Sequence, residues 1–436
     1  MFIKNLVFAI ACLTYITVMA EDEVLMLPPI VTPESFSKVV AQPSGTISLK
    51  EAVALTLEHN PELASYAWGI RSREIDRIQV GLLPNPKLSI ELENIAGSGV
   101  VSGIRSSETT IALSQLIELG DKRIKREQIA LDEHNLARWD YEIKRIDLLS
   151  ETAGAFISIL SQQEMQNIRN ETYTLANDVL MSIQKRVKAG KATALEEMKA
   201  QVEVSKARLA TINSKRQLAL SKQVLVTLWG NTEITFNDVV GDLYVTNTPP
   251  KLRNIVNEIN SNPDLARWAT VISQERDSVA LAKANTIPDL TLSAGIRHLN
   301  ASDDIAAVAN ISIPLFLFDD KKIGVRRSEV ALNRVLKEKE NSELKLRSAL
   351  IQNYQQLLTL YDEVLVLRDE VLPVAETAFD SAKKIYQLGK LDLLGLLDTQ
   401  RTYFDVRQQF IETLTAYQLM VINIERLIGG GLESFQ

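Results

Sequence analysis

The chain has 436 residues, a formal net charge of −7 at pH 7 and 46% hydrophobic residues. An acidic chain whose Lys and Arg residues are scattered along its length lacks the basic face of a nucleic-acid-binding protein, so we expect no nucleic-acid partner. It contains only three His and one Cys, none at ligand spacing from another, and no catalytic pattern or phosphate-binding loop. We therefore expect no metal site, no cofactor and no enzyme activity.

The N-terminal segment has the features of an export signal. Residues 1–20 combine an apolar run with small residues up to Ala20, followed by acidic residues, which predicts a secretory signal peptide. An alternative, which stays open, is that Cys12 is a lipid-attachment cysteine. Residues 21–47 are rich in proline and predict an extended leader rather than a helix. Ser48 then fits a helix N-cap, with Glu51 completing a capping box.

The rest of the sequence contains the same motifs twice. Asn60-Pro61 returns as Asn262-Pro263, and Gly190-Lys191 returns as Gly389-Lys390. The displacement is about 200 residues in both cases, which indicates a duplicated domain rather than a solenoid of short repeats. We predict two repeats of one fold, which cover residues 48–247 and 248–436.

Two segments in each repeat alternate between apolar and polar residues, which predicts four strands in two hairpins. We expect each strand to have roughly 9–11 residues, a length that suits a tilted strand crossing a bilayer. Either the aliphatic side packs on a soluble core, or it faces lipid while the polar side faces a water-filled lumen. The membrane interpretation requires several protomers to close one barrel, since a four-stranded sheet in lipid would leave open edges. In that interpretation the lumen-facing residues are Lys87, Glu91, Glu93 and Arg297, and the lipid-facing residues are Leu88, Ile90, Leu292 and Ile311.

Long helical segments follow each hairpin. A helix of about 65 residues spans about 100 Å, far more than a globular core. Two adjacent apolar seams with heptad spacing in residues 346–371 indicate that each helix packs on two neighbours, as in a tube of helices. The glycines of the Gly190-Lys191 and Gly389-Lys390 motifs are typical of helix C-termini, so these motifs predict the turns between the long helices. The predicted helices cover residues 122–187, 194–228, 321–388 and 393–428.

Four short motifs give the chain a family likeness: LSQLIELGDKR at 113–123, WDYE at 139–142, RVKAGK at 186–191 and LWG at 228–230. Together with the duplication, they resemble the TolC family of trimeric outer-membrane channels. Within that family the chain is most similar to CzcC-type members, which serve heavy-metal cation efflux.

The resemblance implies an α+β membrane protein. Three protomers would contribute four strands each to a 12-stranded transmembrane β-barrel in outer-membrane lipid. Their long helices would form a hollow trimeric helical barrel across the periplasm of a Gram-negative bacterium, girdled by an equatorial region that includes residues 231–250. The implied activity is passive conduction of substrate received from an inner-membrane pump of the resistance-nodulation-division type and a periplasmic adaptor, or membrane fusion protein.

The resemblance also implies a gate at the periplasmic end, held in the family by a tyrosine, an acidic residue and an arginine. Tyr386 matches the tyrosine, Glu196 matches the acidic residue, and Asp398 matches a lumen-facing aspartate. The arginine position is Leu391 and the companion aspartate position is Gly395, so this part of the pattern is not reproduced. The alternatives, that Tyr386 is a packing residue and that Glu196 and Asp398 are ordinary exposed residues, stay open. The implied adaptor-docking turns contain Gly190, Lys191, Gly389 and Lys390.

Two other functions compete with a metal-efflux channel. A general drug or protein-secretion channel of the same family would share these motifs. A soluble periplasmic coiled-coil adaptor would also contain long helices, but it would have one helical hairpin rather than two tandem units, each with an amphipathic strand hairpin.

Overall fold

The computed structural model describes residues 43–430, which apart from Pro43 belong to one unit, Ser44–Gln436. The predicted signal peptide, Cys12 and the leader up to residue 42 lie outside the described residues, as does the C-terminal segment 431–436. Among residues 43–430, no helix has a stretch apolar and long enough to span a membrane. The elements in chain order are β1 (Gly45–Ser48), α1 (Leu49–His59), α2 (Pro61–Gly81), β2 (Lys87–Glu93), β3 (Glu108–Ile117), α3 (Lys122–Lys188), α4 (Ala194–Leu228), β4 (Phe236–Val240), α5 (Leu252–Glu258), α6 (Pro263–Ala284), β5 (Leu290–Leu299), β6 (Asp304–Ser312), α7 (Lys322–Val366), α8 (Leu372–Gln387) and α9 (Leu393–Ile428).

Short polar motifs begin the helices. The predicted capping box at the start of α1 is confirmed: the Ser48 amide donates to a Glu51 carboxylate oxygen at 2.8 Å, and the Glu51 amide donates to the Ser48 hydroxyl. Thr193 and Glu196 form the same arrangement at the start of α4. Each box satisfies two amide groups that lack a partner within their own helix.

An asparagine ties the beginning of each half of the chain to the end of that half. Asn60 caps α2, and its side-chain amide donates to the Leu228 carbonyl oxygen at 2.7 Å. Asn262 caps α6 and donates in the same way to the Leu427 carbonyl oxygen, also at 2.7 Å. Both asparagines are buried, so both side chains satisfy helix-terminal groups that water does not reach.

A glycine lies against each of these caps. Gly230 and Gly429 have φ angles of 74° and 69°, a left-handed conformation that side chains disfavour. A Cβ atom at Gly230 would lie 3.1 Å from the Pro61 ring, and one at Gly429 would lie 2.9 Å from the Asn262 Cα atom. Both the conformation and the close approach therefore require glycine.

The four long strands form one antiparallel sheet in the order β2-β3-β5-β6. Strands β3, β5 and β6 have 10, 10 and 9 residues, within the predicted range, but β2 has only 7 and the prediction was wrong there. Strand β2 begins directly after Pro86, which has no amide donor, and ends at Asn94, whose φ is 55°. The pairing of β3 with β5 joins the two hairpins. A second sheet pairs β1 with β4 in parallel and was not predicted.

The predicted long helices are present, with one difference. Helix α3 has 67 residues and so spans about 100 Å. The segment predicted as one helix over 321–388 is α7 and α8 joined by a π-helical stretch, Leu367–Val371. Pro373 lies in the first turn of α8, where its missing amide and its ring prevent the regular hydrogen bonds to the preceding turn.

The buried side chains form two clusters. The main core joins α3, α4, α7 and α9 with β1 and β4, and it includes the buried residues of the predicted heptad seam. The tip cluster joins α3, α4 and α9 with α8, next to the turns that connect the long helices. The main core includes Phe156, Ile159, Leu225, Trp229, Phe236, Leu350, Leu357, Leu360, Val364 and Leu414, and the tip cluster consists of Ala176, Leu180, Ile183, Ala200, Val204, Ala207, Phe379, Ala382, Tyr386, Leu393 and Leu396.

Candidate functional site

The four-stranded sheet has one apolar face. Residues that pair across neighbouring strands project to the same side of a sheet. Ile90 pairs with Ile111, which pairs with Ile296, and Leu292, four positions before Ile296 on β5, pairs with Ile311. The residues predicted to face lipid therefore lie together on this face, with exposed fractions of 67% for Leu88, 63% for Ile90, 38% for Leu292 and 68% for Ile311.

The opposite face is polar, and it carries all four residues predicted to face a lumen: Lys87, Glu91, Glu93 and Arg297. Arg297 on β5 forms ion pairs with Glu93 at 3.1 Å and with Glu108 at 2.9 Å. Its Nε also donates to the Thr110 hydroxyl at 2.9 Å. The guanidinium thus links strands β2, β3 and β5 on the polar face.

A buried lysine joins the sheet to the helices. Lys122, in the first turn of α3, donates to Asp289 at 2.6 Å and to the Ile287 carbonyl oxygen at 2.7 Å. The Leu119 amide also donates to Asp289, at 3.0 Å. Burial alone would raise the pKa of the Asp289 carboxyl group, but the hydrogen bonds from Lys122 and Leu119 hold this pKa below its usual value. The motif at 113–123 thus holds the start of α3 against the start of β5, and sequence reasoning missed its partner, Asp289.

The two glycine turns lie at the ends of the long helices and are built alike. Gly190 and Gly389 have φ angles of 65° and 73°. The Lys191 amide donates to the Arg186 carbonyl oxygen at 2.8 Å, and the Lys390 amide donates to that of Ile385 at 3.1 Å. These are the bonds of a Schellman motif. All four residues of the predicted docking turns are exposed, and a Cβ atom on either glycine would meet no atom within 4 Å.

The structure separates the predicted gate residues. Tyr386 is buried in the tip cluster, with 7% of its surface exposed. Glu196 is engaged in the capping box with Thr193, and Asp398 is exposed on α9. Within residues 43–430, no hydrogen bond joins Tyr386 to either carboxylate. These three residues therefore do not form a hydrogen-bonded cluster within one chain.

A cation nevertheless lies over the tyrosine. The Arg186 guanidinium is 5.0 Å from the centroid of the Tyr386 ring. Sequence reasoning missed this residue because it belongs to the other helical hairpin. Its one signal was its position in the RVKAGK motif, four residues before Gly190. Among the described residues, no three His, Cys, Asp or Glu side chains are grouped closely enough to hold a metal ion.

Comparison with known proteins identifies the class. The family model described as outer membrane efflux protein matches residues 52–231 and 254–430. The chain belongs to this family, and its location is the outer membrane. The predicted resemblance to these channels is confirmed.

Particular relatives refine the comparison. The chain is 27% identical over 391 residues to the cobalt-zinc-cadmium resistance protein CzcC of Cupriavidus metallidurans, covering 88% of this chain and 91% of that protein. It is 24% identical to the pyoverdine export outer membrane protein OpmQ of Pseudomonas aeruginosa, over 70% of this chain and 66% of that one. Among solved structures, CusC has a similar fold, with a TM-score of 0.73 at 17% identity over 91% of this chain and 96% of that chain.

Proposed function

We propose that this protein is the outer-membrane channel of a tripartite efflux system and that it passively conducts heavy-metal cations to the exterior. The substrate is delivered by an inner-membrane pump of the resistance-nodulation-division type and a periplasmic adaptor. The observation that carries the proposal is a four-stranded sheet whose apolar face is exposed on all four strands and whose opposite face carries the charged residues. A sheet in water packs its apolar face on a core, whereas around a pore in a bilayer the apolar face meets lipid.

The sheet supports a homotrimer. Within the described residues, strands β2 and β6 are the edges of the sheet, and neither edge is paired. Open edges are not stable in the hydrocarbon region, because their amide and carbonyl groups have no partner there. If β6 of each copy pairs with β2 of the next, three copies close a barrel of 12 strands.

The helices support the same assembly. Two rows of exposed apolar side chains follow coiled-coil spacing, one on α4 and one on α7. Rows of this kind mark surfaces that a partner covers. A second copy on each side would cover both rows and close the helices into a tube. The rows are Leu195, Met198, Val202, Leu209 and Ile212 on α4, and Ile323, Val330, Leu344 and Ile351 on α7.

Lumen charge supports a cationic substrate. The polar face carries Glu91, Glu93 and Glu108 against Lys87 and Arg297, so among these residues the carboxylates outnumber the basic groups by three to two. Threefold symmetry would repeat this excess around the pore, and a ring of carboxylates attracts cations and disfavours anions. Asp398 would form a second acidic ring at the periplasmic end, where Tyr386 and Glu196 are the other proposed gate residues.

The two halves of the chain support the assignment of two repeats and of two adaptor-docking turns. Paired family matches and the equivalent Asn60 and Asn262 contacts support two repeats, over 48–247 and 248–436. The turns at Gly190-Lys191 and Gly389-Lys390 are the proposed docking surface for the adaptor, because they are exposed and lie at the ends of helices that form the tip cluster.

A pair of arginine substitutions tests the membrane assignment. Ile90→Arg places a charge on the apolar face, where it costs about 2–4 kcal/mol near the bilayer midplane. Ser89→Arg, one residue away on the polar face, is the matched control. We expect Ile90→Arg to reduce the trimer recovered from the outer membrane on non-denaturing gels, and Ser89→Arg to leave it near the wild-type amount. Equal recovery of both variants would contradict the assignment of faces.

The substrate is tested separately in cells. The CzcC relative favours divalent metal cations, and the OpmQ relative, named for pyoverdine export, makes a channel for pyoverdine or drugs the second candidate. Deleting the gene should lower tolerance to cobalt, zinc and cadmium and raise their accumulation, while sensitivity to organic compounds stays unchanged. A loss of pyoverdine or drug export with unchanged metal tolerance would favour the second candidate.

A further inference from the structure

The two strand hairpins of one chain are tied together at the base of the sheet, where the strands meet the helices. Lys122, which follows β3, donates to Asp289, which precedes β5, at 2.6 Å. The Leu119 amide donates to the same carboxylate at 3.0 Å. We call this contact, between residues 119–122 and 287–289, the inner junction.

The internal duplication implies a second junction of the same kind, but between copies of the chain. Strand β2 is the counterpart of β5, since Pro86-Lys87-Leu88 returns as Pro288-Asp289-Leu290, and β6 is the counterpart of β3. Within residues 43–430, β2 and β6 are the unpaired edges of the sheet. When β6 of one copy pairs with β2 of the next, residues 315–320 of the first copy meet residues 82–87 of the second. We call this contact the outer junction.

Both sides of the outer junction expose apolar side chains in a single copy. Leu315 and Leu317 are each 75% exposed, and Phe318 is completely exposed. On the other side, Leu82 and Leu83 are 64% and 70% exposed. Contiguous exposed apolar surface marks a contact site, so these two segments are suited to cover each other.

The charges of the outer junction are reversed relative to those of the inner junction. Lys87 takes the place of Asp289 at the start of the strand, and it is exposed and forms no ion pair within residues 43–430. Asp319 and Asp320 precede α7, in the place that Gly120-Asp121 occupies before α3. In the outer junction the base therefore precedes the first strand, and the acids follow the last one.

Asp320 is the carboxylate that is left for a partner. Lys321 is the counterpart of Lys122 in the sequence, but it forms an ion pair with Asp319 in its own chain. One oxygen of Asp320 accepts a hydrogen bond from the Lys322 amide at 3.0 Å, at the start of α7. The Asp320 side chain is exposed, and within the part of the chain that the structure describes it forms no ion pair.

We propose that Lys87 of each copy pairs with Asp320 of the neighbouring copy, and that this ion pair selects the pairing of β6 with β2. Each junction then joins a base to an acid: Lys122 to Asp289 within one chain, and Lys87 to Asp320 between chains. Pairing of β6 with β5 of another copy would bring Asp320 to Asp289, and the repulsion between two carboxylates disfavours that arrangement. This proposal rests on the proposed function, because it presupposes a barrel that closes between copies.

Cysteine crosslinking of the full-length protein in outer membranes tests the contact directly. Lys87 and Asp320 lie at opposite edges of the sheet in one copy and meet only between copies. The variant with Lys87→Cys and Asp320→Cys, treated with a short bis-maleimide, should therefore give species of two and three chains on denaturing gels. The matched control combines Lys87→Cys with Asp304→Cys at the other end of β6, about 25 Å away along the strand, and should stay a single chain.

Charge reversal tests the ion pair itself. Lys87→Glu should weaken each of the three outer junctions by about 2- to 5-fold, the effect of a lost surface ion pair, and so lower the trimer recovered on non-denaturing gels. Asp320→Lys alone should lower it as well. The variant with both changes restores the pair in reverse and should recover trimer towards the wild-type amount.

Two further variants separate the ion pair from other effects. Arg105→Glu makes the same change of charge in the loop between β2 and β3, at the other end of the sheet, and should leave the trimer unchanged. Asp320→Asn keeps an oxygen for the Lys322 amide and removes only the charge. It should lower the recovery of trimer as much as Lys87→Gln does.

Two outcomes would overturn the ion pair: a trimeric protein whose cysteines at 87 and 320 do not crosslink between chains, or a reversed pair that recovers no more trimer than Lys87→Glu alone. Wild-type protein that forms no trimer would instead overturn the proposed assembly, and the ion pair with it.

Discussion

The main core and the tip cluster use the same long helices but pack them differently. In the main core, large side chains such as Trp229, Phe156 and Leu414 are almost completely buried, and the strands β1 and β4 pack against the helices. The tip cluster is smaller, and four of its eleven buried residues are alanine. Small side chains bury less apolar surface, so the tip is held together less strongly than the main core.

This difference is consistent with the gate proposed at the end of the helices next to the turns. Regions with few buried apolar contacts open at lower free energy than the rest of a protein. The π-helical stretch Leu367–Val371 lies between the two clusters: its first residue, Leu367, belongs to the main core, whereas Phe379 on α8 belongs to the tip cluster. We therefore expect the tip to open at lower free energy than the main core.

The largest expected effect is in the main core. Trp229 is 2% exposed, and its ring lies 6.3 Å from that of Phe236. Trp229→Ala should lower the free energy of unfolding by about 3–5 kcal/mol, because it leaves a large cavity. Denaturant unfolding in detergent measures the change. Trp229→Phe, which retains a ring, should be clearly less destabilising, and equal losses from the two variants would show that this site is not tightly packed.

A matched pair of isoleucines on α3 compares the two regions directly. Ile159 in the main core is 0% exposed, and Ile183 in the tip cluster is 1% exposed. Substitution of a buried Ile by Ala costs about 2–5 kcal/mol, depending on how far the surroundings can collapse into the cavity. We expect Ile159→Ala to lie near the upper end of this range and Ile183→Ala near the lower end. Denaturant unfolding measures both changes. A larger loss of unfolding free energy for Ile183→Ala than for Ile159→Ala would refute the difference in packing between the main core and the tip cluster.

The smallest expected effect concerns Tyr244, which lies at the edge of the main core. The Tyr244 ring lies 6.2 Å from that of Phe410, and its hydroxyl donates to Glu164 at 3.1 Å. Burial, together with the negative charge of Glu164, raises the pKa of Tyr244 from 10.0 to about 12. Because the pKa is higher in the folded state, the contribution of this group to stability is complete below pH 10 and is lost as the pH rises towards 12.

A spectrophotometric titration of tyrosine ionisation, with Tyr244→Phe as the reference for this phenol, measures the pKa. Glu164→Gln should lower the pKa but leave it above 10, because burial is the larger cause. A pKa of 10 for Tyr244 in the wild type would show that its hydroxyl group is open to water.

Local patterns in the sequence predicted the elements of the fold. The capping box at Ser48, the alternation in the four strands and the heptad seam of α7 depend on residues close together in the chain, so their meaning does not require the tertiary structure. The same alternation assigned Ile90 and Glu91 to opposite faces of the sheet. The repeated motifs and the family likeness predicted the class of protein.

Contacts between distant segments were decided only by the tertiary structure. The pairing of β3 with β5, the parallel pairing of β1 with β4, and the Lys122–Asp289 ion pair each join residues more than a hundred positions apart. The Arg186–Tyr386 contact is of the same kind, and the motif that contains Arg186 indicated only a turn. A local pattern determines which side chains share a face of a helix or strand, whereas the partner of that face depends on how the whole chain packs.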